Sequence, residues 1–154
     1  MKIVIFSDSH GKTMPMLKAV ESHCPDMVLH LGDHDKDAQV IIENFPQVKV
    51  HTVCGNCDYN SVSQVEKTLE IAGRRIVMVH GHMYGVKQGL EKLIAMGQAK
   101  GAGLLLFGHT HIAYHAVEGN MEICNPGSIF CEKNPSFATV QMEGNVLTCK
   151  HIFF

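Results

Sequence analysis

Five short stretches of the 154-residue chain carry acids, imidazoles or a carboxamide at tight spacing: Asp8-Ser9-His10, Gly32-Asp33, Gly55-Asn56-Cys57-Asp58, His80-Gly81-His82 and Gly108-His109-Thr110-His111. Carboxylate oxygen, amide oxygen and neutral imidazole nitrogen form a borderline-hard ligand set suited to manganese, iron, zinc or cobalt. A thiolate-rich set would point instead to structural zinc or an iron-sulfur cluster. Two ions held roughly 3.5 to 4 Å apart need a bridging ligand, and an aspartate has an oxygen for each. Asp33 is the candidate bridge. Each stretch alone has a plain reading: Ser and Asp often leave strands by turn chemistry, loop histidines are commonly solvated, and tight strand exits favour glycine. Their ordered conjunction carries the signal.

The elements that must position these residues follow from the hydrophobic pattern. Short runs rich in Val and Ile predict strands at Lys2 to Phe6, Met27 to Leu31 and Val48 to Val53, with helices over Met14 to His23 and Asp37 to Phe45 between them. That β-α-β-α-β order implies parallel strands with right-handed crossovers. Gln64 to Ile71 and Arg75 to Val79, joined by Ala72-Gly73, predict a hairpin; a helix over Val86 to Ala99 and a buried strand over Leu104 to Phe107 come next. The turn-prone Glu-Gly-Asn at 118 to 120 and again at 143 to 145 predicts an antiparallel meander. The expected fold class is therefore layered α/β, a single domain over 1-154 with two mixed sheets packed face to face. Every candidate ligand stretch falls just beyond a strand end, in the crevice where loops of an open α/β sheet converge on a ligand.

Composition removes other classes. With 45% hydrophobic and 18% charged residues, the chain suits one domain burying roughly two thirds of its unfolded surface. A formal charge of -2, without a run of like charges, supplies no footprint for nucleic acid or an anionic membrane. No stretch suits a signal peptide or a membrane span, so a cytoplasmic location is expected, and the six cysteines are expected as reduced thiols.

With the five stretches in this order, together with Asn-Pro-Gly-Ser at 125 to 128, the sequence resembles the calcineurin-like metallophosphoesterase superfamily, and within it the small bacterial and archaeal phosphodiesterases of the YfcE-like branch. The resemblance spans Met1 to about Val140. It implies an α/β/β/α sandwich of two mixed sheets flanked by helices, and two divalent metal ions. Manganese is preferred, with iron, nickel, zinc or cobalt as alternatives. One ion would be held by Asp8, His10, Asp33 and His111, the second by Asp33, Asn56, His80 and His109. The implied reaction is hydrolysis of a phosphodiester, and by extension of a monoester, by a metal-bridging hydroxide, with a small-molecule phosphoester as partner.

Two departures from the family pattern matter. Many members carry a histidine where this chain has Cys57, which leaves the proton donor open: His82 is the candidate for that role or for phosphate contact beside Asn56, and Asp58 is the candidate to orient an imidazole. Only 22 residues separate Asp33 from Asn56, too few to build a lid, so the site should be shallow and open. Cys54 and Cys57 also match a C-x-x-C redox pair, but their middle residues already belong to the Gly-Asn motif. Asp35 and Asp37 read as first-turn charges of the second helix, Ser128 as part of a tight turn, and His23, His30, His51, His115 and His151 receive no functional role. A non-catalytic scaffold, or a metal or nucleotide sensor, on the same fold is the competing class. A homo-oligomer paired through a bare sheet edge is the remaining partner expectation.

Overall fold

The structure, a computed structural model, describes residues 1–144 and 146–154. Asn145, the last residue of the second Glu-Gly-Asn turn, lies outside the described residues. The strands are β1 (Lys2–Phe6), β2 (Met27–His30), β3 (Lys49–Thr52), β4 (Glu66–Ile71), β5 (Arg74–Val79), β6 (Leu104–Leu106), β7 (Ala113–Glu118), β8 (Met121–Pro126), β9 (Ser136–Glu143) and β10 (Val146–Phe153). Helices α1 (Thr13–His23), α2 (Gln39–Asn44) and α3 (Glu91–Ala99) complete the frame. The strands form two five-stranded mixed sheets, ordered β10-β9-β1-β2-β3 and β4-β5-β6-β8-β7.

Period-two alternation explains why the central strands are apolar on both faces. In β1, Ile3 and Ile5 join Leu29, Ile76, Met78, Leu104 and Leu106 in the core between the sheets, while Val4 and Phe6 point outward to Met16, Ala19 and Val20 of α1. Complete burial of each such side chain contributes about 1.5–3 kcal/mol. On the far side, Val77, Val79 and Leu105 pack against Leu93 of α3. The layers are thus α/β/β/α, as the sequence resemblance implies.

Two elements differ from their sequence expectation. The helix expected over 86 to 99 begins only at Glu91, because Gly85 sits in the left-handed region (φ 64°) and closes a short 3-10 turn at His82–Tyr84. The expected meander is two separate hairpins: β7 pairs with β8 in the second sheet, whereas β9 pairs with β10 and β1 in the first. β9 is apolar on both faces, which suits an inner position beside β1 and not an edge. Helix two opens with a 3-10 turn at Asp35–Ala38 before α2, and no side chain caps that turn.

β1, β2 and β3 run parallel, as do β5, β6 and β8. The carboxyl ends of both parallel sets carry the five ligand stretches. Among the described residues no helix is long and apolar enough to cross a membrane.

Candidate metal centre

The candidate ligands assemble into two trios across the seam between the sheets. Asp8, His10 and His111 form one, Asp33, His80 and His109 the other, and within each trio the ligating atoms lie within 4.8 Å of one another. Asp33 faces both: its Oδ2 is 3.8 Å from His10 Nε2 and its Oδ1 3.5 Å from His80 Nε2.

The loops are shaped by backbone as much as by side chain. Asp8, His10, Asp33, His109 and His111 all have positive φ, between 43° and 67°. Non-glycine residues there carry roughly 1–3 kcal/mol of strain, which clusters at functional sites. The motif glycines have a second reason to be glycine, namely close approach. A Cβ on Gly32 would lie 2.5 Å from the Gly55 amide nitrogen, and one on Gly108 would strike the Ser7 hydroxyl and come 3.0 Å from Asp8 Oδ2.

The Asp33 trio is oriented by hydrogen bonds that leave its lone pairs facing inward. His80, fully buried, donates from Nδ1 to the Leu31 carbonyl at 2.8 Å, so its Nε2 is unprotonated and points at His109 Nδ1, 3.2 Å away. Burial, and then the neighbouring His80, push the His109 imidazole down to about 4, keeping it neutral at physiological pH. Asp33 Oδ1 accepts the Cys57 amide at 2.9 Å. The Asp58 carboxylate, expected beside an imidazole, instead accepts four backbone amides, from Asp33, His34, Asp35 and Gly55 at 2.6 to 3.0 Å. That correction has a simple cause: two loops turn sharply at one place, and a carboxylate is the acceptor able to satisfy all four donors.

The other trio is more open. His111 Nε2 lies 3.0 Å from Asp8 Oδ1. No hydrogen bond is well directed along that line, and Oδ1 stays buried without a hydrogen-bond partner. Burial works to raise the Asp8 carboxyl, but His111, His80 and Ser7 outweigh it and hold it below the usual carboxylate value. His111 is raised in return, chiefly by Asp8. His10 packs on the rings of His34, Phe130 and His111 at centroid distances of 5.1, 5.2 and 5.8 Å.

These residues fit the implied metals on two observations. A buried, partnerless carboxylate oxygen is costly unless something electropositive meets it. The ring nitrogens of His80 and His109, 3.2 Å apart, converge with Asp33 on one point, and a single cation there satisfies all three.

Asn56 is exposed, and its amide nitrogen contacts the Cys57 sulfur at 3.4 Å. Burial, followed by Asp33, pushes the Cys57 thiol up to about 11, so it is protonated at neutral pH. His82 stacks near His80 and His109, 5.4 and 6.2 Å between centroids, and its Nδ1 is buried without a partner. Burial and then His80 lower its pKa.

Several residues that support the site are read from the sequence without a part in the metal centre. The Gly32 amide donates to His30 Nδ1 at 3.2 Å, so the proton is on Nε2, which faces the Ser9 hydroxyl at 3.0 Å; that hydroxyl donates to Asp37 at 2.7 Å. Asp37 also accepts the Gly11 amide, so this acid fastens the β1 exit loop instead of capping a helix. Asn125 donates to the Gly108 carbonyl and to Thr110, holding the loop of His109 and His111. Ser128 donates to the Asp8 carbonyl and accepts the Phe130 and Cys131 amides, the structural turn its motif suggests. The sequence signal for His30 is polarity inside an otherwise apolar strand, and for Asn125 its place in the Asn-Pro-Gly-Ser motif.

A carboxylate-imidazole centre at the strand ends of an α/β/β/α sandwich defines a metallohydrolase class of site. The chain belongs to the calcineurin-like phosphoesterase superfamily, whose domain model matches residues 1–145. Among curated relatives, it is 31% identical over 156 residues to the probable metallophosphoesterase YsnB of Bacillus subtilis, covering 97% of this chain and 89% of that one. It is 28% identical over 152 residues to the phosphodiesterase YfcE of Escherichia coli K12, covering 92% and 77%. Among solved structures, a predicted phosphoesterase of Streptococcus pneumoniae superposes with a TM-score of 0.81 at 23% identity, covering 99% and 88% of the two chains. Vps29 of Entamoeba histolytica, complexed with zinc, does so with a TM-score of 0.79 at 19% identity, covering 99% of each. At these identities the two structures speak to the fold alone.

Proposed function

We propose that this chain is a phosphodiesterase with a dinuclear metal centre bridged by Asp33. The observation that carries the reading is the position of that carboxylate, 3.8 Å from His10 on one side and 3.5 Å from His80 on the other. When bound, two divalent ions supply an activated water and polarise phosphoryl oxygens. In this reading Asp8, His10 and His111 would hold one ion with Asp33, while His80, His109 and Asn56 would hold the other.

The remaining work falls to residues around the ligands. The Leu31 carbonyl fixes the His80 tautomer, and Asp58 fixes the two loops that present Asp33 and Asn56. His82, half-buried with its ring beside those of His80 and His109, is the residue in this reading for phosphate contact or for the departing alkoxide. Asp58 has both oxygens engaged by amides, so it acts as a positioning residue and not as a proton carrier. Diester preference rests on the relatives named phosphodiesterase, and manganese on its fit to a mixed oxygen and nitrogen set. A scaffold on the same fold would be expected to lack ligands, and here all seven positions hold ligand-type residues.

The test is hydrolysis of bis(p-nitrophenyl) phosphate and p-nitrophenyl phosphate by metal-stripped protein before and after manganese is restored. The expected result is metal-dependent turnover, faster on the diester. Metal-loaded protein inert on both esters would overturn the reading.

A further inference from the structure

Beside the metal centre lies a recess of about 570 Å³ that the catalytic residues leave unused. Its inner wall is shared with the site through His34, which packs on His10, and Cys57, whose amide holds Asp33. Its outer walls carry Ile42, Tyr59 and Val62, which are 45%, 88% and 102% exposed, with Lys36 at the edge. Pockets of roughly 300–1,000 Å³ with apolar walls and a few polar groups are typical ligand sites.

The chemistry of the walls narrows the occupant. Asp35 accepts the Ser61 hydroxyl and Asp58 four amides, so the acids are hydrogen-bonded within the loops and the recess suits an uncharged ring better than an anion. Lys36 supplies the cation. The Tyr59 ring, almost fully exposed, has no ring partner among the described residues, so a whole aromatic face is open. Asn60 and Ser63 add polar groups able to meet a heteroatom edge. A planar heterocycle carried by an anionic ester matches this combination: a face to stack, an edge to hydrogen-bond, and a phosphate reaching the metals next door.

We infer that this recess receives the base of a nucleoside phosphoester, stacked on Tyr59, while the phosphate occupies the metal centre. The inference rests on the phosphoester reading for the placement of the phosphate, and it makes the substrate class nucleotidic instead of a sugar phosphate or a simple alkyl ester. The 57 to 63 loop that carries Tyr59 is tied down by Ser63 to Thr52 and by Ser61 to Asp35, which holds the backbone of the stacking residue in place.

Binding, not turnover, provides the test. Calorimetric titration of manganese-loaded protein with adenosine 5′-monophosphate and with ribose 5-phosphate compares two ligands distinguished by the base. The nucleotide should bind about 5- to 150-fold more tightly, the range of one base-aromatic stack. Tyr59→Ala should remove most of that difference while leaving ribose 5-phosphate binding unchanged, and Tyr59→Phe should keep it. Equal affinity for the two ligands in the wild type, or a Tyr59→Ala loss shared by both, would overturn the inference. Nucleotide preference in a protein inert on both nitrophenyl esters would overturn the phosphodiesterase reading and support this one.

Discussion

The two halves of the metal centre are built differently. Asp33, His80 and His109 sit on buried or half-buried positions, with the Leu31 carbonyl drawing the His80 proton to Nδ1 and burial keeping the His109 ring uncharged. In the other half His10 and His111 stand nearer solvent around a buried Asp8, and Asp8 holds His111 toward its protonated form. The first half is preorganised to take an ion; in the second an ion has to displace the close approach of His111 Nε2 to Asp8, 3.0 Å in the structure. What stands behind the ligands sets this contrast: Asp58 and the Leu31 carbonyl support one half, a His30-Ser9-Asp37 chain the other.

Removing the residue that both halves share should have the largest effect. Asp33→Asn should lower diesterase activity by about 10³-fold, the scale of losing a principal electrostatic contributor, and reduce bound metal at both positions. Steady-state kinetics with metal analysis checks it; retention of one fully bound ion would show that the halves are independent.

Separating the halves gives the next largest effect. His80→Ala should remove the tighter ion and leave the weaker, while His111→Ala should do the opposite. In competition with a graded chelator, the His80→Ala protein should therefore surrender its remaining metal at lower chelator than the His111→Ala protein. The reverse order would mean that solvent access, and not preorganisation, governs affinity.

Smaller effects come from the supporting residues. Asp58→Ala should weaken metal binding by roughly 10- to 100-fold, as is usual when an outer partner of a ligand is lost, with circular dichroism showing an intact fold. The smallest effect concerns pH. His30 is fully buried and burial lowers its pKa, so below about pH 6.5 the unfolded chain binds a proton that the folded chain resists. Stability from this residue is therefore complete above that value and declines as pH falls. Thermal melts of metal-free protein should fall more steeply between about pH 7 and 5 for the wild type than for His30→Gln, and parallel curves would remove His30 from the account.

The layered fold and the candidate ligand stretches are legible in the sequence because their signals are local, whereas the division of the ligands into two sets comes only with the family resemblance. Ile3 to Phe6 marks a strand buried on both faces, and an acid or imidazole just past it reads as a strand-exit ligand. The features that escape the sequence depend on distant partners. Two identical Glu-Gly-Asn turns suggest one continuous meander, and nothing in them shows that β9 pairs with β1, more than a hundred residues away. The clue lies in the strand itself: Phe137 turns toward the helix layer while Ala138 faces the core between the sheets, the two-sided burial of an inner strand. His30 and Asp37 are silent for the same reason, since their partner Ser9 lies 21 and 28 residues away. The role of Asp58 is hidden because its four donors are backbone amides, which carry no side-chain signature.

Whether Asp33 joins two ions is decided by electron paramagnetic resonance of the protein loaded with two equivalents of manganese per chain. A spin-coupled pair is expected, the signature of two ions sharing one carboxylate, and that coupling should be lost in Asp33→Asn. Two uncoupled manganese signals in the wild type, or saturation at one ion, would contradict the bridged centre.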